Sequence, residues 1–284
     1  ILGTGGWSGR EIVSKAETCF SFSRDRVGAR VMFMQKPLPF AKAKQYPCKT
    51  TLQAGDLSSY ERPVSIMQDQ VVCANCHTYS SNGRTMAMDI DFAGDKGAFA
   101  HSSLHTETLF KVKNIYSWNT LPPEDPAAYS MGLFASLSPK GRYLAGTVNE
   151  TSVFVMLNDI WFSQLFFPAT GQITYFDPET EKFNLLNGAS RQDMVQTAPA
   201  WSPDGRTLAF SRAPVDQALL DRVKSGKVYR ESRNQDIRLL NKKYSIQFNI
   251  CTVPFNQGQG GLAQPLKGAG NNGYSNYFPR YSPN

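Results

Sequence analysis

Long apolar runs are missing from this chain. The most apolar stretch, Val153 to Phe167, is interrupted by Asn158 and Asp159, and it falls short of the about 20 apolar residues that cross a bilayer as a helix. No membrane span is expected. A basic-then-apolar leader is also missing ahead of Ile1, as expected of a chain from which a targeting segment has been removed. There is no Gly-x-Ser-x-Gly elbow and no catalytic triad pattern. The glycines at 258, 260 and 261 are not followed by Gly-Lys-Ser/Thr, so they read as a hairpin loop rather than a phosphate loop. Helical periodicity is scarce, with one candidate from Val215 to about Val223 and Asp216 near its start.

What remains is an ordinary globular composition. The 284 residues carry 30 Lys+Arg against 23 Asp+Glu, a formal charge of +7, and 41% are hydrophobic. That length holds one large domain or two small ones with a core that needs no staples. Cysteine numbers 5, at positions 19, 48, 73, 76 and 251, an odd count that cannot pair completely within one chain.

The chain repeats itself. Ala200-Trp201-Ser202-Pro203-Asp204-Gly205-Arg206-Thr207-Leu208-Ala209-Phe210 matches Ser136-Leu137-Ser138-Pro139-Lys140-Gly141-Arg142-Tyr143-Leu144-Ala145-Gly146. A weaker copy runs from Thr78 to Met88, and a fourth begins at Arg280-Tyr281-Ser282-Pro283-Asn284. Each copy reads as an apolar strand end, a tight turn in which Pro presets φ and Gly accepts a positive φ, and a second strand. After the first turn Met86, Met88, Ile90 and Phe92 alternate with Thr85, Ala87, Asp89 and Asp91, the period of a strand with one buried face. Asp89, Asp91 and Asp95 therefore read as its solvent side. A calcium loop is not supported, because Ala93 takes a ligand position and no closing Glu follows.

Repeated hairpins argue for an all-β chain, and this scale of repetition favours propeller blades. The turn serines, Ser80, Ser138, Ser202 and Ser282, are farther apart than the roughly 40–45 residues of a minimal blade, so insertions are expected. Residues 1–67 lack the signature. They read as an N-terminal segment packed on the propeller, with a strand at Ala29 to Met34 and a Pro-rich loop from Lys36 to Cys48. Residues 68–284 hold the blades, and because the last copy stops inside its turn the propeller is expected to be incomplete at the C-terminus.

Cys73-Ala74-Asn75-Cys76-His77 is a C-x-x-C-H string, the attachment signature of c-type haem. Two thiols at this spacing can each add to a haem vinyl group, and the adjacent imidazole then faces the iron. Three other readings compete. A zinc site lacks a local fourth ligand; a redox dithiol is expected beside a βαβ pattern that is absent; and a disulfide across so short a loop stabilises little. For the second axial ligand the candidates are Met88, Met131, Met67, His101 and His105, none singled out by spacing, and an open iron site is equally consistent. Met86 aligns with Leu144 and Leu208 and reads as blade core.

These residues carry a resemblance. The Ser-Pro-Asp-Gly turn followed by Arg and an apolar strand, best at Pro199 to Phe210, resembles the TolB-like β-propeller family. Cys-Ala-Asn-Cys-His-Thr-Tyr-Ser with Asn-Gly-Arg-Thr-Met, and the later Pro254 to Gly261, Pro265 to Ala269 and Asn276 to Pro279, resemble its bacterial subgroup bearing a c-type haem motif. The resemblance implies TolB-like blades with an inserted haem site near the central channel, and one covalent haem c on Cys73, Cys76 and His77. It also implies a periplasmic or extracellular location, where disulfides are tolerated. Cys19 and Cys48 flank the Pro-rich loop and are candidates for a bridge, whereas Cys251 sits in an apolar strand as a buried thiol.

Electron transfer is the expected role, within or to a larger redox complex, rather than catalysis. A haem enzyme subunit with open iron, and an interaction propeller with a structural haem, are the alternatives. Eight basic residues against three acidic ones between Asp221 and Lys243 read as a solvated insertion or as a docking patch for an acidic redox partner. No nucleic-acid partner is expected.

Overall fold

The computed structural model describes residues 4–8, 11–16, 28, 30–70, 74–104, 111–121, 130–157, 159–161, 164–228, 239 and 242–282. By its internal contacts the chain divides into two units, residues 1–33 with 52–66, and residues 34–51 with 67–284.

In the first unit β1 (Thr4–Ser8) pairs antiparallel with β2 (Glu11–Ala16). β3 (Arg30–Gln35), β4 (Thr51–Asp56) and β5 (Val64–Met67) form a three-stranded sheet in that order. Between β3 and β4 lies a short helix, α1 (Phe40–Gln45), and a 3-10 turn at Pro47–Lys49, which corrects the expectation of a plain loop there. Pro39 precedes the helix, where its missing N–H costs nothing, and no side chain caps it.

The second unit is built from three four-stranded antiparallel sheets. The first is β6 (Ala74–Tyr79), β7 (Thr85–Ile90), β8 (Ala98–Ser103) and β9 (Ile115–Ser117). The second takes β10 (Ser136–Leu137) and β11 (Leu144–Val148), is interrupted by a hairpin of β12 (Ser152–Met156) and β13 (Gln164–Pro168), and resumes with β14 (Gln172–Asp177) and β15 (Lys182–Leu185). The third has β16 (Met194–Trp201), β17 (Thr207–Pro214), an inserted helix α2 (Gln217–Lys224), then β18 (Asn249–Pro254) and β19 (Gln264–Pro265). The two insertions account for the uneven spacing of the repeats. The apolar stretch around Val153 is the hairpin β12–β13, with Val153 opposite Phe167, and α2 starts where Asp216 accepts the Leu219 N–H at 3.0 Å, a side-chain N-cap.

Each sheet is an up-and-down meander, the form of a propeller blade, and consecutive sheets meet at their first strands. The Leu137 N–H donates to Thr78 Oγ1 at 3.0 Å, and Trp201 Nε1–H donates to the Ser136 carbonyl at 2.9 Å. Face-to-face packing supplies the core. Ala87 and Phe99 of the first sheet pack with Leu137, Leu144 and Phe176 of the second. Ala145 and Ile173 of the second sheet pack with Leu208, Phe210 and Val253 of the third. Cys251 lies in this second layer as a fully buried thiol, as its apolar strand predicts.

The fold is therefore all-β, with three consecutive blades, and both faces of a blade are covered. This corrects the one-sided reading of β7. Met86, Ala87 and Met88 are each 2% exposed, and Asp89, expected on a wet face, is desolvated. Asp91 is ion-paired with Lys96, while Asp95 accepts from Asn119 Nδ2 at 2.7 Å and from the Gly97 N–H at 2.8 Å, tying the loop before β8 to the one after β9. Among the described residues no group of three metal-ligating side chains converges.

Candidate functional site at the bulge of the first blade

The first strand of the first blade carries the cysteine-histidine string. Cys73 lies outside the described residues; Cys76 and His77 are on β6. In regular pairing His77 opposes Met88 and Thr78 opposes Ala87, but the register shifts between Ala74, opposite Ile90, and His77. One extra residue stands on β6 there, a β-bulge, which bends the strand and re-aims its side chains. The third blade has the same irregularity between Thr197 and Ala200. Counting back four positions from each turn serine aligns Cys76 with Phe134, Ala198 and Phe278. The last three all have left-handed backbones, at φ 59°, 54° and 56°, and in the first and third blades this point falls in the bulge of the first strand.

The environment of Cys76 follows from that bulge. Its side chain is open to solvent, yet the protein atoms around it, and then the Asp89 carboxylate, push the thiol up to about 12. The positive charges of Lys36 and Arg280 act on the same sulfur in the opposite sense.

His77 is half-buried and its ring meets Tyr79 edge-on at 5.6 Å. Burial pushes the Tyr79 hydroxyl up to about 12. Met88, opposite His77 on β7, is buried on the same face of the sheet and stands beside the imidazole. Met131 is half-buried in the segment entering the second blade, and its N–H donates to Glu150 Oε1 at 2.6 Å. Met67 is half-buried at the end of β5. His101 Nε2 lies 3.2 Å from the Gly141 carbonyl, and burial lowers its pKa. His105 and Cys19 lie outside the described residues, the latter taking the expected bridge with it; Cys48 is an exposed free thiol. Of the basic stretch, residues 229–238, 240 and 241 are likewise outside. Its described part places Arg222 Nε–H on the Tyr244 hydroxyl at 2.8 Å, with Lys243 over the same ring.

Two desolvated carboxylates beside this site, the half-buried Asp89 and the buried Glu150, escaped the sequence reading. Asp89 faces the bulge from β7, and burial, reinforced by Glu150, raises its pKa well above the ordinary carboxylate value. Glu150 follows β11; burial pushes it up to about 7, against the opposing pull of the backbone at its carboxylate, where the Met131 N–H donates to Oε1 at 2.6 Å. Position 89 aligns with Thr147 and Ser211. Thr147 Oγ1 is 3.2 Å from Thr197 Oγ1 of the next blade, and Ser211 Oγ accepts the Phe278 N–H at 3.2 Å. A polar group thus recurs where each second strand meets the next blade, and only that register, invisible in a single copy, would have marked Asp89. A cavity of about 400 Å³ lies elsewhere, floored by Tyr143 and Phe255 at the Ser138 and Asp204 turns.

Chemically, the site offers a thiol able to add to an unsaturated carbon and, next along the strand, an imidazole able to give a nitrogen lone pair to a metal. The sheets define the class, an all-β protein of β-propeller blades. No family model and no curated protein sequence matches the chain. Among solved structures it is similar to TolB from Acinetobacter baumannii, at 15% identity and a TM-score of 0.45, over 85% of this chain and 42% of that one. The tricorn protease aligns at 11% identity and 0.40, over 89% and 22%. Hydrazine synthase from Kuenenia stuttgartiensis aligns at 12% identity and 0.30, over 76% and 65%. The chain thus spans less than half the length of the TolB and tricorn chains it matches.

Proposed function

We propose that the chain is an exported c-type cytochrome with one covalent haem, its blades serving as scaffold and docking surface for electron transfer within or to a larger redox complex. The observation that carries this reading is the intact C-x-x-C-H string, with its second cysteine at a bulge in the first strand of the first blade and open to solvent. The donor set has the chemistry the cofactor needs. Cys73 and Cys76 would hold the porphyrin by thioether links, each S–H adding across one vinyl double bond with nothing lost. His77 would give a nitrogen to the iron, and Tyr79 and Met88, packed beside it, restrict its rotation. Bound there, haem supplies a one-electron couple tuned by burial and hydrogen bonding around its ligands.

Covalent attachment of this type implies the periplasm or the exterior of a bacterium; among the described residues no helix is long and apolar enough to cross a membrane. The basic 221–243 region suits an acidic redox partner, which charge complementarity would steer. A second reading, a haem enzyme subunit with an open iron position, is favoured by two placements. Met88 stands beside His77 rather than across from it, and His101 Nε2 is engaged with Gly141.

Intact mass together with absorption and electron paramagnetic resonance spectra tests these readings on protein made in a host that matures c-type cytochromes. One added iron porphyrin and a low-spin, carbon-monoxide-inert spectrum support electron transfer. A high-spin spectrum that responds to carbon monoxide moves the assignment to the enzyme reading, and an unmodified mass overturns both.

A further inference from the structure

One position in the third blade breaks a rule that the other two keep. Ten residues after the turn serine the first blade has Ile90 and the second Val148, both buried, at 8% and 1% exposure. The third blade has Arg212 there, on β17. It is half-buried, and among the described residues its guanidinium makes no hydrogen bond or ion pair. The polar groups beside it are engaged elsewhere. Arg212 lies opposite Gln196 on β16 and Asn249 on β18. The Gln196 amide exchanges hydrogen bonds with the Arg191 backbone, at 2.9 and 3.3 Å, and Asn249 Oδ1 accepts the Asn271 N–H at 2.6 Å. The charge of Arg212 reaches the Asp193 carboxylate, but Arg191 already holds that carboxylate, through Nε at 2.9 Å and Nη2 at 2.5 Å. Two arginines against one aspartate leave one positive charge uncompensated.

Arg212 lines a cavity of about 520 Å³ between the second and third blades. Part of its wall is glycine backbone in close contact. Gly188 has a φ of 88°, and a Cβ there would sit 1.8 Å from the Gly261 carbonyl oxygen, while the Gly261 N–H donates to the Asn187 carbonyl at 3.1 Å. Arg191, Leu262 and Ala263 also line the space, and among the described residues no acidic side chain does. The cavity therefore combines a fork of unmatched donors with short apolar side chains and no carboxylate of its own.

We propose that this cavity binds a small organic anion, whose carboxylate or phosphate group is held by the Arg212 guanidinium. The site is independent of the haem and stands on other residues. A charge placed where the fold repeats an apolar side chain costs stability unless it is paired, and local rules of a fold are broken where function compensates for the loss. The planar donor fork of a guanidinium matches two oxygens of a carboxylate or phosphate. The single uncompensated charge suits one anionic group, and Leu262 and Ala263 offer contact to a short apolar body beside it.

The test uses the full chain as wild type, Arg212→Val and Arg212→Lys, in sodium phosphate, sodium acetate or sodium chloride at equal ionic strength. Phenylglyoxal, which modifies accessible guanidinium groups, is followed at Arg212 by peptide mapping. In wild type Arg212 is expected to react in chloride and to be protected several-fold by phosphate or acetate, the more potent anion telling the two ligand groups apart. Thermal melts are read alongside. An anion that binds only the folded state should raise the wild-type midpoint above its value in chloride. Arg212→Val, which restores the residue type of the other two blades, should melt higher than wild type in chloride and gain nothing further from either anion. Arg212→Lys keeps the charge without the fork and should gain less than wild type. Equal gains in wild type and Arg212→Val would be the general effect of salts on burial and would overturn the site. So would an Arg212 that is unreactive in chloride, or one that reacts at the same rate in all three salts. The protection measurement needs no variant, so it decides even where Arg212→Val fails to fold.

Discussion

The Ser202 hydroxyl donates to Asp204 Oδ1 at 2.6 Å while accepting the Thr207 N–H at 3.0 Å. The same carboxylate accepts the Arg206 N–H at 3.0 Å, and the Gly205 N–H closes the turn on the Ser202 carbonyl at 2.8 Å. The first blade reproduces the arrangement with Ser80 and Asn82, at 2.8 Å, and with Thr85 donating to Ser80 Oγ at 3.0 Å. In the second blade Ser138 Oγ accepts the Tyr143 N–H at 2.9 Å, but Lys140 stands where the other copies have an acceptor. Lys140→Asp is therefore expected to stabilise the protein, by about 0.5–1.5 kcal/mol for one neutral hydrogen bond regained, and Ser202→Ala to destabilise it by about 1–3 kcal/mol, because a buried N–H loses its partner. Urea titrations check both; a Lys140→Asp midpoint at or below wild type would contradict the account of the turn.

Those turns were legible in the sequence because their chemistry is local: serine, acceptor, glycine and the following N–H lie within six residues. The α2 helix was legible for the same reason, through Asp216. What escaped depends on the packing of distant segments. Asp89 was assigned to water because alternation along β7 implies one wet face, whereas stacked blades cover both, as Ala87 at 2% exposure demonstrates. The short helix α1 has neither a capping side chain nor the length to show a period. Of the site itself, the covalent motif was readable and its surroundings were not.

Glu150 ties stability to pH. Its pKa is about 7 in the folded protein, against an ordinary value near 4.3 when exposed to water, so between those values the folded state holds the proton more tightly than the unfolded chain. Stability from this group is fully present below the unfolded pKa and is lost as pH rises through the folded one, a loss of about 3 kcal/mol. Asp89, shifted upward as well, adds a loss of the same sign. Glu150→Gln should remove its share, so the variant gains on wild type between about pH 5 and pH 8. Denaturant titrations across that range check it, and parallel curves for the two proteins would refute it.

Gly132 has no room for a side chain. Its φ is 65°, and a Cβ there would overlap the indole of Trp118, which is fully buried and packs tilted against Phe99 with ring centroids 4.8 Å apart. Gly132→Ala combines overpacking with a left-handed backbone that L residues disfavour, an expected loss of about 3 kcal/mol. Gly132 adjoins Met131, whose N–H donates to Glu150 Oε1 at 2.6 Å, so the variant should shift the Glu150-dependent part of the pH profile, which Gly146→Ala, pressing on the same indole from β11, should not. Thermal melts of both variants at two pH values separate the steric effect from the electrostatic one.

Cys76 before attachment is the remaining case. Burial and then Asp89 hold its thiol near 12, so at neutral pH it is protonated and, though open to solvent, a poor nucleophile. In protein made without haem maturation, alkylation of Cys76 by iodoacetamide is expected to be slow at neutral pH and to climb steeply into the alkaline range. Asp89→Asn removes the carboxylate that helps to raise the Cys76 thiol, so the variant should be alkylated faster than wild type in the alkaline range. Peptide mapping follows Cys76 apart from the other cysteines. A Cys76 that reacts at neutral pH as fast as a free thiol in a short peptide would mean that the surrounding protein atoms and Asp89 do not hold its thiol up, contrary to its placement at the bulge.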